Sequence, residues 1–133
     1  RVPHLGKKVV LKREIIAGCI VSVNRELFEW VIENLLKNAV QAIESKNGEI
    51  TIALKSASRG KIVISVSDNG KGMTKQIKRQ IFDPGFTTKK RGWGLGLSLS
   101  KRIIEQYHNG KIYDKETIPG KGTTFIIELK RVV

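Results

Sequence analysis

The chain has 133 residues, 40% of them apolar and few of them proline, and carries a formal net charge of +13. That length suits a single domain, 1–133, with a real core, and the composition argues against disorder. With no apolar run of spanning length and no signal peptide, any membrane attachment is expected to come from segments outside these residues. The charge asks for an anionic partner, and polyphosphate, nucleic acid, a membrane surface or an acidic protein face would each satisfy it.

Arg1 in first place points to a fragment of something larger. Lys7–Glu14 and Gly18–Val23 read as two short strands, and Cys19, the only cysteine, reads as a small core residue in a reducing compartment. Asn24 offers an N-cap for a long helix to about Ser45. Its expected core face is Phe28, Ile32, Leu35, Ala39 and Ile43, and its solvated face carries Glu26, Glu29, Glu33, Lys37 and Glu44. Between them Asn34, Asn38 and Gln41 stack along one line. Such amides are either local hydrogen-bonding groups or oxygen donors for a hard cation.

Asn47-Gly48 predicts a turn, Glu49–Ser56 a strand, and Ser58-Arg59-Gly60 a return into a second strand of an antiparallel hairpin. In that second strand Ile62, Ile64 and Val66 share a face, and Asp68 falls on it. A carboxylate delivered to the buried side must find a donor or a ligand. Gly70 and Gly72 follow, able to leave room against the backbone; an ordinary strand-to-turn exit is the plainer reading of the same residues. Thr74 caps a short helix through about Ile81.

From Phe82 to Gly94 the chain is rich in turn formers and contains Lys89-Lys90-Arg91, so it predicts a long loop of the kind that often serves as a lid. The next helix opens at Gly94-Leu95-Gly96-Leu97, with Leu95, Leu99, Ile103 and Tyr107 at intervals of four and Gly110 as its stop. Glycines ahead of a helix leave N–H groups open to a phosphate. Lys111–Asp114, a Pro119–Gly122 turn and Thr123–Leu129 close the chain as two strands.

Five segments, in order, resemble the boxes of one superfamily: Asn34–Ala39 the N box, Asp68–Gly72 the first glycine box, Ile81–Lys89 the F box, Gly92–Leu97 the second glycine box, and Gly120–Phe125 the closing Gly-x-Gly-Thr motif. Over about residues 24–131 the chain resembles the ATP-binding catalytic domain of bacterial sensor histidine kinases, whose superfamily includes DNA gyrase, MutL and the large heat-shock chaperone. The resemblance implies an α/β (α+β) two-layer sandwich, a mixed, mostly antiparallel sheet packed against three helices, with a flexible ATP lid over about 82–94.

It also implies roles. Asp68 would accept from the adenine amino group, with Gly70, Gly72, Met73 and Thr123 shaping the base pocket. Asn38 would bind Mg²⁺, with Asn34 beside it as the second catalytic position and Gln41 near the phosphates. Phe82 and Phe86 would anchor the lid, and Thr87, Thr88, Lys89, Gly92, Gly94, Leu95, Gly96 and Leu97 would surround the nucleotide.

The superfamily's ATPases and serine-directed kinases carry a glutamate where this chain has Asn34, whereas histidine kinases resemble it in having asparagine. An amide cannot accept a proton, so the reaction implied is phosphoryl transfer to a histidine by positioning and charge neutralisation, not base-assisted hydrolysis. Adjacent Glu33 falls on the solvated face. Gln41-Ala42 and Phe86–Lys89 look most like kinases of the nitrogen-regulation type.

His4 and His108 sit in no acceptor-like helix, so the phosphoacceptor is expected on a separate helical domain, the chain's own or in trans, with a response regulator downstream. A cytoplasmic bacterial protein, homodimeric at full length and monomeric as this fragment, is implied. Two other readings exist. One is a nucleotide-binding regulator that docks without catalysis, against which the intact Asn38, Asp68 and glycine boxes weigh. The other is a nucleic-acid binder, disfavoured because aromatic residues do not interleave with the basic ones.

Overall fold

The computed structural model describes residues 8–16, 20–44, 47–86 and 96–132. Five strands, β1 (Lys8–Ile15), β2 (Asn47–Ala57), β3 (Lys61–Asp68), β4 (Lys111–Ile118) and β5 (Gly122–Lys130), form one sheet in the order β1-β2-β3-β5-β4. Only β1–β2 is parallel. One face is covered by α1 (Arg25–Ala42), α2 (Lys75–Gln80) and α3 (Gly96–Arg102), the last continuing as a π-helical turn, Ile103–Tyr107. The architecture is the mixed two-layer sandwich expected.

Alternation sets the inward face: Ile62, Ile64 and Val66 of β3, with Phe125, Ile127 and Leu129 of β5, are all buried. The α1 stripe that meets them is Val31, Leu35 and Ala39; Phe28 and Ile32, expected on that core face, are partly buried and packed against it. Asn24 caps α1 as expected, its Oδ1 accepting from Leu27 N–H at 3.0 Å, and Thr74 caps α2 through Ile77 N–H at 3.3 Å. The helix α1 ends at Ala42, earlier than Ser45. Ile43 turns extended and drops its side chain into the core with no exposed surface.

Four further expectations are corrected. Residues 20–23, expected to belong to a second strand, form no strand: Val21 makes a single antiparallel bridge to Arg131, and Val132 N–H donates to Ile20 O at 2.7 Å. Those backbone groups are taken by the end of β5, and β1 pairs with β2 instead; Gly18 and Cys19 lie outside the described residues. Asn47-Gly48 is no turn but the start of β2, opposite Lys8 and Val9. Glycine is needed there because an added Cβ would stand 2.6 Å from Ile43 Cγ2.

The third correction concerns the last helix. Its inward residues are Ser100, Ile103 and Ile104, each at most 2% exposed, while Leu99 is 39% and Tyr107 64% exposed. A period of four drifts off a 3.6-residue turn, and the wider π turn rotates the later residues further. The strand β4 also runs four residues past Asp114, through a register shift between Asp114 and Glu116.

His108 closes this packing. Asn24 N–H donates to its Nε2 at 2.9 Å, its Nδ1 lies 2.9 Å from Ile103 O, and its ring meets Phe28 edge-on. Since Nε2 accepts, Nδ1 carries the proton and donates to the carbonyl. The ring therefore ties the start of α1 to the end of the α3 segment.

Urea unfolding checks the assigned face. Ile104→Ala should cost about 2–5 kcal/mol, and Leu99→Ala less than about 1 kcal/mol; equal losses would restore the period-of-four face.

Candidate functional site

Asp68 ends β3 on the inward face, opposite Ile50 on one side and Thr123 on the other. It is half-buried, and no ion pair reaches it among the described residues. Gly70 N–H donates to its Oδ1 at 2.8 Å. Burial raises the carboxyl above its ordinary 3.8, while the backbone N–H groups of Gly70 and Thr123 pull it back by favouring the ionised form. This is a half-buried carboxylate held as an acceptor by backbone N–H groups.

The exit from β3 is fastened to its surroundings. Lys71 N–H donates to Ala42 O at 2.8 Å, so the end of α1 is closed by the turn after Asp68. The room that a Cβ would need at Gly70 is filled by that same Ala42 carbonyl, 2.5 Å away. Gly72 adopts φ +69° against the carbonyl of Ile118, and Gly120 N–H returns to Lys71 O at 2.7 Å. Here the glycines let protein segments meet. Asn69 extends the ladder, with Glu49 N–H donating to its Oδ1 at 2.8 Å and its Nδ2 donating to Asn47 O at 3.0 Å.

Met73 N–H donates to Thr117 Oγ1 at 2.8 Å, and Thr117 Oγ1 lies 2.8 Å from Thr123 Oγ1. Thr117 was not singled out in the sequence, because β4 looked complete at Asp114. The register shift between Asp114 and Glu116 turns it onto the inward face opposite Thr123, where strict alternation from Ile112 and Asp114 would not have put it.

The amides of α1 divide. Asn34 donates from Nδ2 to the buried Ser100 Oγ at 3.3 Å, and Ser100 in turn donates to Gly96 O at 2.8 Å. A Cβ on Gly96 would stand 2.5 Å from Asn34 Oδ1, so glycine is what lets α3 approach that amide. Asn38, one turn on, is half-buried, and Gln41 is exposed. Thus the line of three amides runs from the α1–α3 contact out to solvent. Ser100, buried and polar at the α1–α3 contact, was not singled out in the sequence, where the apolar series at intervals of four runs beside it.

Phe82 and Phe86 are partly buried against the core. Phe82 meets Phe125 edge-on at 6.2 Å, and Lys101 Nζ sits 5.4 Å from its ring centre. Leu97 packs on the same core. Thr87, Thr88, Lys89, Gly92, Gly94 and Leu95 lie outside the described residues.

The structure thus brings Asp68, Gly70, Met73 and Thr123 into one cluster and Asn34 and Gly96 into another. Among the described residues no group of three or more His, Cys, Asp and Glu could hold a metal ion. A divalent cation therefore fits this donor set only where an anionic ligand supplies most of its oxygens, with an Asn side-chain oxygen as one neutral donor.

The family model for the histidine kinase-, DNA gyrase B- and HSP90-like ATPases matches residues 23–133. The chain is 42% identical over 113 residues to the sensor histidine kinase ZraS of Klebsiella oxytoca, covering 85% of this chain and 24% of that protein. Among solved structures, the nucleotide-free catalytic domain of histidine kinase ThkA is 35% identical, with a TM-score of 0.81 over 92% of this chain and 80% of that one. ThkA in complex with the response regulator protein TrrA gives 30% identity and a TM-score of 0.76, over 93% of this chain and 34% of that one. The chain spans about a quarter of the length of ZraS.

The raised carboxyl has a measurable consequence. A folded-state value above the unfolded one means that the native state binds more protons, so this group's contribution to stability is present below pH 3.8 and lost as pH rises through the folded value. Asp68→Asn keeps an acceptor for both N–H groups and removes the buried charge. The ligand-free Asn variant should be at least as stable as wild type at neutral pH, and its advantage should vanish towards acid. Chemical denaturation across pH 3–7 checks this, and a variant less stable than wild type at pH 7 would contradict it.

Proposed function

Because the chain belongs to the histidine kinase-, DNA gyrase B- and HSP90-like ATPase family, we propose that it is the ATP-binding catalytic part of a protein-histidine kinase. It holds Mg-ATP and presents the γ-phosphoryl group to a histidine on a separate helical domain. The observation that carries this reading is Asp68, a half-buried carboxylate that N–H donors keep as an acceptor and that no cation neutralises among the described residues. That is the chemistry needed to take a hydrogen bond from the adenine amino group.

The remaining roles follow from position. Thr123 stands next to Asp68 across the strand pair and shares the base pocket with Gly70, Gly72 and Met73. At the other end, Asn38 would contribute its side-chain oxygen to Mg²⁺ carried on the phosphates, and that ion would supply charge neutralisation for the transferring group. Asn34, engaged with Ser100, orients the start of α3 rather than acting on a proton. Gly96 and Leu97, the last two residues of the second glycine box, open α3 near the phosphates, and Phe82 and Phe86, packed on the core, would anchor the lid. Gln41, Thr87, Thr88, Lys89, Gly92, Gly94 and Leu95 would face the phosphates and the lid.

No general base is required of this chain. A neutral imidazole brings its own lone pair, and phosphoryl transfer depends mainly on alignment and on charge compensation. His108 is committed to the packing of α1, so it is no acceptor.

The acceptor histidine would reside on a helical dimerisation domain of the full-length protein, and the phosphoryl group would pass on to a response regulator, as the ThkA–TrrA complex suggests by likeness. Among the described residues no helix is long and apolar enough to cross a membrane. A bacterial cytoplasmic setting suits a domain that uses ATP. The alternative of a docking module without catalysis would require the base pocket to be defective, and the hydrogen-bonded Asp68 turn and the Thr117–Thr123 pair weigh against that.

Calorimetric titration with ATP, with and without Mg²⁺, tests the reading. Mg²⁺-assisted, saturable binding is expected, and Asp68→Asn should weaken it by about tenfold or more, the worth of a hydrogen bond to a charged acceptor. Absence of heat and of any thermal shift with the intact chain would move the docking module to first place.

A further inference from the structure

The inward face carries one polar row across three strands. Asp68 of β3 lies opposite Thr123 of β5, and Thr123 lies opposite Thr117 of β4. Directly opposed residues stand about 5 Å apart at Cβ, close enough for two neighbours to read adjacent atoms of one planar ring. Thr123 is 5% exposed, so its hydroxyl hydrogen bonds are decided by protein or ligand rather than by bulk water.

A hydroxyl has one proton to give, so the direction of the Thr117–Thr123 bond matters. Met73 N–H is an obligatory donor and points into Thr117 Oγ1 at 2.8 Å. An oxygen that accepts such a bond is polarised to give its own proton away, and Thr123 Oγ1 is 2.8 Å from it. Thr123 then accepts from Thr117 and keeps its own proton for the side on which Asp68 lies.

We propose that Thr117 is a positioning residue for base recognition: through Thr123 it fixes a hydroxyl donor beside the Asp68 acceptor, and the pair reads the 6-amino group and N1 of adenine together. Adenine offers a donor at the amino group and an acceptor at N1, which is the complement of a carboxylate followed by a hydroxyl donor. Asp68 alone selects the amino group; the Met73–Thr117–Thr123 chain adds selection at N1. The proposal rests on the nucleotide reading above and deepens it.

The test compares ATP with 1-deaza-ATP, which keeps the amino group and replaces N1 by C–H. Wild type should prefer ATP by about three- to tenfold, the worth of one hydrogen bond. In Thr117→Val, and equally in Thr117→Ala, the preference should fall to about one, because an unanchored Thr123 hydroxyl is free to turn elsewhere. Thr117→Ser should restore it, and a purely structural role for Thr117 would lower both affinities and leave their ratio unchanged. An unchanged ratio in the Val or Ala variant overturns the proposal, and so does equal affinity of wild type for the two nucleotides, which needs no variant at all. Failure of wild type to bind ATP would instead overturn the nucleotide reading itself.

Discussion

A carboxylate at the inward end of the central strand has to be kept ionised by the chain around it, and much of the structure near Asp68 answers to that requirement. Water is partly excluded there, which raises the carboxyl, and the compensating donors are backbone N–H groups of Gly70 and Thr123. Backbone donors are placed only as precisely as the backbone itself. Hence the β3 exit is fastened on both sides, by Lys71 N–H on the last carbonyl of α1 and by Gly120 N–H on Lys71 O. An arginine or lysine would have satisfied the carboxylate more cheaply, and would also have left nothing for a ligand to bind.

The second dependence is the spacing between α1 and α3. It is set at one end by Gly96 against Asn34, with Ser100 as the hydrogen-bonded spacer, and at the other by His108, which accepts from the first residue before α1 and donates to the π turn. A helix held at both ends cannot slide, so Asn34 and Asn38 keep one position relative to the beginning of α3. For a site that acts by alignment, that fixed distance does the work that a titrating side chain does in a general-base enzyme.

Sequence patterns were informative where a local rule had no competitor. Alternation in β3 located Asp68 on the correct face, and the caps Asn24 and Thr74 were found because N-capping is a contact within one turn. They were misleading where tertiary contacts decided. The β-branched run before Asn24 has strand propensity, yet its partners are chosen by the end of β5. Asn47-Gly48 has turn chemistry, yet the glycine answers to the bulk of Ile43. The inward pair Ser100 and Ile104 is itself spaced by four but lies one residue on from the apolar line Leu95, Leu99, Ile103 and Tyr107, so a reading led by apolar residues passed over the polar Ser100. Thr117 stayed hidden behind a bulge: period-two reading fails at the residue where the register slips.

Asn34 joins these themes. In the sequence it stood for the absence of a base, a negative statement about chemistry. In the structure its amide does what a carboxylate could not do as well, since it donates to Ser100 Oγ, and that leaves the serine proton for the Gly96 carbonyl. A glutamate there could only accept, and would compete with that carbonyl for the same hydroxyl proton. The loss of a base and the gain of an α1–α3 tie are therefore one substitution viewed from two sides. A chain built this way fixes the α1 amides against the start of α3 with no titrating group at the Asn34 position.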